Sequence, residues 1–134
     1  MAEPVDPVLL IDDDPDHAAL LRAVMQEEGL TVEVRYDAES GLAAARDLRL
    51  SLIVLDLDLP DAPSPTAGEH VVLRTLRADR QTAAIPVVVV SAWTSEVAQG
   101  ALASADAVFP KPFRVDALVE RLRALADRRI ARPS

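Results

Sequence analysis

No cysteine occurs anywhere in the chain, and that absence removes disulfides, thiolate metal centres and thiol catalysis together. Aromatic residues are nearly as scarce. Tyr36, Trp93, Phe109 and Phe113 are the only four, so the core has to be built from Val, Leu, Ile and Ala, which suits helices packed on a parallel sheet. No stretch approaches the roughly 18 apolar residues that span a bilayer, and the start M-A-E-P-V-D-P lacks a basic region followed by an apolar one. The expectation is a cytoplasmic protein with no membrane partner. A basic surface is lacking as well: residues 1 to 60 carry 14 acids against 4 Lys+Arg, and residues 61 to 134 carry 8 against 10. The halves are −10 and +2, within a net charge of −8. Nucleic-acid affinity comes mainly from neutralising phosphates, so direct nucleic-acid binding is not expected. The terminal arginines Arg121, Arg123, Arg128, Arg129 and Arg132 are read as a solvated helix face near the favourable end of the dipole.

What the chain does have is length and apolar residues enough for one domain: 134 residues, half of them hydrophobic. The organising stretch is Leu50 to Pro60, L-S-L-I-V-L-D-L-D-L-P. Leu52 to Leu55 are four consecutive large aliphatics, which predicts a strand covered on both faces, with Asp56 at its C-terminal end. In open α/β sheets ligands bind at that edge. Asp56 is therefore the expected reactive centre.

Around it the pattern alternates. Pro7 to Ile11 predicts a buried strand stopped by Asp12, Asp13 and Asp14, and Asp14-Pro15 is an N-cap and first-turn pair opening a helix to about Glu28. Leu20, Leu21, Val24 and Met25 are its expected apolar face, and Gly29 supplies the left-handed residue that ends it. A strand follows at Thr31 to Val34, then an Ala-rich helix at Asp37 to Leu48. Beyond Pro60, D-A-P-S-P-T-A-G reads as a loop. A helix resumes near Gly68 with Val72, Leu73 and Leu76 as its stripe and Arg74, Arg77 and Arg80 off it. Ile85 to Val90 is a β-branched central strand ending at Ser91. A short helix at Ser95 to Leu102, a fifth strand near Ala107 to Phe109 and a helix from Val115 to about Arg128, with Leu118, Leu122 and Leu125 on one face, complete the pattern. This is (βα) five times over, and right-handed crossovers make it a doubly wound parallel sheet.

Four strand ends then present polar residues to one edge: Asp12 and Asp13, Asp56, Ser91 and Lys111. Crowded carboxylates repel, so some are protonated or a divalent cation sits among them. Oxygen ligands without His or Cys favour Mg²⁺ together with a phosphate oxygen. A lysine and a hydroxyl opposite would hold the remaining phosphate oxygens. His17 and His70 read as solvated helix residues without metal-ligand spacing.

The chain resembles the receiver domain of bacterial two-component response regulators, in the stand-alone, chemotaxis-Y-like form. L-L-I-D-D-D-P, L-I-V-L-D-L-D-L-P, P-V-V-V-V-S-A and K-P-F arrive in the family's order at roughly its spacing. The resemblance implies a flavodoxin-like five-stranded sheet of order 2-1-3-4-5, and a single receiver domain over 1–134 with a core of about 7–128 and no output domain. It implies that Asp56 accepts a phosphoryl group from a histidine kinase or a small donor such as acetyl phosphate. Asp13 and Asp56 would hold Mg²⁺ through carboxylates, Asp58 through its backbone carbonyl and Asp12 mainly through water. Lys111 would pair with Asp56 and then with the phosphoryl oxygens, Ser91 would move to hydrogen-bond them, and the Lys111-Pro112 bond would be cis. The protein would be no enzyme beyond its own Mg²⁺-dependent phosphorylation and dephosphorylation. It would signal as a monomer or weak dimer to a histidine phosphotransfer protein or another target.

The family carries an aromatic three residues before its lysine, where this chain has Val108 with Phe109 beside it, so signalling is expected through backbone movement or through a local shift of Phe109. The loop Asp61 to Ala67 is about four residues longer than the family's, and Asp58 and Trp93 fall where the family modulates hydrolysis; Trp93 is expected to shield the phosphoryl group. Two alternatives stand beside this reading. One is a receiver-like binding module independent of phosphorylation; the other is a phosphatase of the haloacid dehalogenase type, which D-L-D-L-P resembles.

Overall fold

The computed structural model describes residues 6–56, 67–91, 103–111 and 113–131. Strand β1 is Val8–Asp12, α1 Pro15–Glu27, β2 Val32–Arg35, α2 Ala38–Asp47, β3 Leu52–Asp56, α3 Ala67–Ala78, β4 Val87–Ser91, β5 Ala107–Pro110 and α4 Val115–Ala131. The strands form one sheet of order β2-β1-β3-β4-β5, parallel at every pairing. This is the flavodoxin-like sheet that the family resemblance implied. The helix expected at Ser95 to Leu102 lies outside the described residues.

Each inner strand is apolar at every position up to its last because both faces are covered. Val8 and Leu10 of β1, Leu52 and Val54 of β3, and Val88 and Val90 of β4 face one layer, against Leu21 and Met25 of α1 and Leu118, Leu122 and Leu125 of α4. The alternate residues Leu9, Ile11, Ile53, Leu55, Val87 and Val89 face the other, against Ala44 and Ala45 of α2 and Val72, Leu73 and Leu76 of α3. The small residues of α2 allow a close seat: a Cβ on Gly41 would lie 2.5 Å from Ile11 Cδ1.

Local chemistry sets the ends of α1. Asp14 accepts from the Asp16 and His17 amides and Pro15 occupies the first turn, as the sequence indicates, while Gly29 closes the helix at φ 87°. One side chain departs from the expected face. Leu20 is exposed, because the buried stripe runs through Ala18, Leu21 and Met25, three and four residues apart, and Leu20 falls outside it. Among the described residues no helix is long and apolar enough to cross a membrane.

Candidate functional site

Parallel register brings the acids together. Val8 pairs with Leu52 and the ladder runs in step to its last pair, Asp12 with Asp56. Neighbouring strands lie about 4.8 Å apart, so two carboxylates stand side by side at the carboxyl edge of the sheet. Both are buried, each 1% exposed. Burial of like charges demands partners, and the surrounding loops supply them.

The Asp14 amide donates to Asp12 Oδ1 at 2.9 Å, a local turn that swings the chain back over the strand end. Lys111, one residue past β5, donates from Nζ to Asp56 Oδ1 at 2.6 Å. No other lysine occurs in the sequence, every other basic side chain apart from histidine being arginine. That count was a signal for this position. Its compact ammonium fits a single carboxylate oxygen where a planar guanidinium would ask for two.

His17 corrects the sequence expectation. It is not a solvated helix residue: Nδ1 lies 2.7 Å from Asp12 Oδ2 and 2.9 Å from Asp56 Oδ2, with the side chain 27% exposed. The reason was available in the cap. With Asp14 as N-cap, His17 is the third helical residue, and helical side chains lean toward the N-terminus, here toward the end of β1. Phe113 meets the imidazole edge-on, with ring centroids 6.3 Å apart. Since both neighbouring oxygens are acceptors, Nδ1 carries the proton and donates it to Asp12. Asp56 Oδ2 is buried and, among the described residues, accepts no hydrogen bond despite that proximity, since one N–H cannot be aimed at two carboxylates.

Burial therefore dominates the chemistry of Asp56. It pushes the carboxyl up to about 6, against the pull of the Lys111 hydrogen bond and with the Asp12 charge adding to the rise. The donor atoms of Asp12, His17 and Asp56 all lie within 4.8 Å of one another. An orphaned buried oxygen and a tight cluster of oxygen and nitrogen atoms are what a divalent cation requires, so the residues fit one. Asp13 occupies the bend after β1, half-buried, outside that group of three.

Ser91 ends β4 with its backbone opposite Pro110, the residue before Lys111. The sheet thus brings Ser91 and Lys111 to the same edge as Asp56. Val108 and Phe109 face opposite ways: Phe109 packs with Val90 in the α1–α4 layer, and Val108 is exposed. For Phe109 to take the place of Val108 the strand would have to slip by one residue. Asp58, Trp93, the loop at 61–66 and the Lys111-Pro112 bond lie outside the described residues.

A β-strand edge carrying a buried acid, a second acid in register and a lysine at bonding distance is a restrictive pattern, and the response regulator receiver domain family matches residues 8–123. The chain belongs to that family. This receiver domain is 38% identical over 119 residues to the DNA-binding response regulator MtrA of Mycolicibacterium smegmatis, covering 87% of this chain and 49% of that protein. It spans about half the length of the curated relatives it matches. The name MtrA carries leaves the expected absence of nucleic acid without support from relatives.

In structure the receiver is similar to a CheY-like receiver domain protein from Methanospirillum hungatei JF-1, with TM-score 0.81, 23% identity and coverage of 95% of this chain and 98% of that one. It is similar too to the receiver domain of the sensor histidine kinase PA1611 from Pseudomonas aeruginosa PAO1, which has a magnesium ion in its active site cleft, with TM-score 0.78, 20% identity and coverage of 92% and 99%. At these identities the likeness concerns the fold. Receivers are signalling switches that interact with histidine kinases rather than enzymes with a turned-over substrate, and neither alternative weighed from the sequence is favoured.

Proposed function

We propose that this receiver is a phosphorylation-activated switch with Asp56 as phosphoacceptor, receiving its phosphoryl group from a histidine kinase. One observation carries the reading: a buried carboxylate at the end of β3, in register with Asp12 and held by Lys111 Nζ at 2.6 Å. An oxygen of Asp56 attacks phosphorus in line. The new P–O bond forms as the donor's P–N bond breaks, and the departing imidazole nitrogen takes up a proton; with acetyl phosphate the leaving group is acetate.

Asp12 and Asp56 with Asp13 beside them, and Asp58 through its backbone carbonyl, are the proposed holders of Mg²⁺. When bound there, the cation would supply charge neutralisation at the transferring phosphoryl oxygens. Lys111 already faces Asp56 and needs little movement to meet those oxygens. Ser91, at the same edge, is the proposed hydroxyl that moves to the phosphoryl group, with Val108 replacing the family's aromatic and Trp93 shielding the product from water.

The switch is proposed to work in the cytoplasm as a monomer or weak dimer, and to pass its signal to a histidine phosphotransfer protein or another target. Intact mass after incubation with acetyl phosphate and Mg²⁺ tests this. A single phosphoryl adduct that requires Mg²⁺ and Asp56 is expected. Absence of an adduct with acetyl phosphate and with histidine kinases alike overturns the reading in favour of a phosphorylation-independent module.

A further inference from the structure

We propose that His17 is a direct ligand side chain of the cation site, giving it a nitrogen donor and with it a selectivity for zinc-like cations over Mg²⁺. The inference deepens the reading above and rests on it.

Three observations carry it. His17 Nδ1 stands 2.7 Å from Asp12 Oδ2 and 2.9 Å from Asp56 Oδ2. Adjacent ligands of an octahedral cation bound at about 2.1 Å are separated by about 3.0 Å, and those of a tetrahedral one bound at about 2.0 Å by about 3.3 Å, so a slight opening of these contacts seats a cation among the three atoms. Second, the hydrogen-bond arithmetic of the three atoms does not close among the described residues themselves. One Nδ1 proton faces two carboxylate oxygens, and Asp56 Oδ2, on a residue only 1% exposed, is left without a hydrogen bond among the described residues. A cation satisfies all three at once, with the proton moved to Nε2 or released. Third, the imidazole is held in place: α1 starts at the Asp14 cap, which fixes the third helical position, and Phe113 packs edge-on against the ring.

The consequence follows from ligand preference. Carboxylate and water ligands suit Mg²⁺, whereas imidazole adds affinity for Zn²⁺, Ni²⁺ and Co²⁺ and little for Mg²⁺. Any carboxylate site binds Zn²⁺ more tightly than Mg²⁺, so the proposal concerns the part of that difference that depends on His17.

Calorimetric titration of the full chain with ZnCl₂ and, separately, MgCl₂ tests it, on wild type, His17→Ala, His17→Asn and, as a control for the other histidine, His70→Ala. The expected result is that both His17 variants lose about 10-fold or more in Zn²⁺ affinity with Mg²⁺ affinity nearly unchanged, while His70→Ala matches wild type. Co²⁺ absorption provides an independent readout: the spectrum of the wild-type complex should change on losing a nitrogen ligand. Equal losses for both cations, no loss of Zn²⁺ affinity, or tighter binding of both cations by the variants each overturns the proposal, the last by showing that His17 competes with the cation. Asp56→Asn weakens both cations if they bind at this edge, and unchanged binding there overturns the proposal too. Failure of the underlying reading looks different: wild type then takes up no phosphoryl group from acetyl phosphate, whatever cation it binds.

Discussion

Asp12 and Asp56 are register partners at the ends of adjacent parallel strands, both buried. One slipped residue would send either carboxylate to the opposite face of the sheet. The apolar ladder beneath them, from Val8 with Leu52 to Ile11 with Leu55, fixes the register and so fixes the site. Stability and chemistry are coupled through that ladder.

The pH dependence of stability reports the cost of this arrangement. Burial raises Asp56 from an ordinary 3.8 to about 6, so the folded state holds the proton more tightly than the unfolded state. The stabilisation from that proton is fully present below about pH 4 and is lost as pH rises through about 6. Asp56→Asn should therefore raise the melting temperature at pH 7.5, by an amount worth at most about 3 kcal/mol. The advantage should shrink toward nothing below pH 4. Thermal melts across that range check both limits.

Removing Lys111 should act in the opposite direction. Lys111→Met leaves ionised Asp56 buried beside Asp12 with His17 as the nearest donor group among the described residues. Breaking a fully buried pair costs about 3–5 kcal/mol; Lys111 is 24% exposed, and solvent lowers the expected loss to about 1–3 kcal/mol at pH 7.5. The loss should fade below pH 4, where Asp56 is neutral. Urea unfolding of the variant at the two pH values measures it, and a loss independent of pH would mean that the lysine acts through packing of its stem.

Gly41→Ala tests how tightly α2 seats on β1. A Cβ there would meet Ile11 Cδ1 at 2.5 Å, Cγ1 at 2.8 Å and Cγ2 at 3.0 Å. Ile11 is completely buried, so the ring of neighbours leaves it little room to turn. Overpacking of about 1–3 kcal/mol outweighs the gain of about 1 kcal/mol that alanine brings to a helix interior. The net effect should be a lower melting temperature.

The sheet and its edge were legible in the sequence for a physical reason. A strand covered on both faces leaves an unbroken aliphatic run, as at Leu52 to Leu55, and the polar residue that ends such a run marks the carboxyl edge. Asp14-Pro15 and Gly29 likewise act through local backbone geometry, which sequence spacing records. Contacts made across the chain were harder to read. His17 reaches the site because the Asp12 turn folds α1 over the strand end, a relationship that a search for metal-ligand spacing on one helix overlooks. Arg77 lies off the apolar stripe of α3, as the sequence indicates, and from there it donates to the carbonyls of Ala83, Ile85 and Ser104 and pairs with Asp106. It ties the approach to β4 to the approach to β5. An apolar stripe shows only which side of a helix is dry, and a long guanidinium stem can lie along that boundary and bond past it.

The most direct test of the account locates the phosphoryl group rather than detecting it. Wild-type protein is phosphorylated with acetyl phosphate and Mg²⁺, the acyl phosphate is reduced with borohydride, and peptide mass spectrometry finds the reduced residue. Reduction at Asp56 alone, with no reduced peptide from Asp56→Asn, is the predicted result. Reduction at Asp12 or Asp13 in the wild type would contradict the assignment of Asp56 as phosphoacceptor.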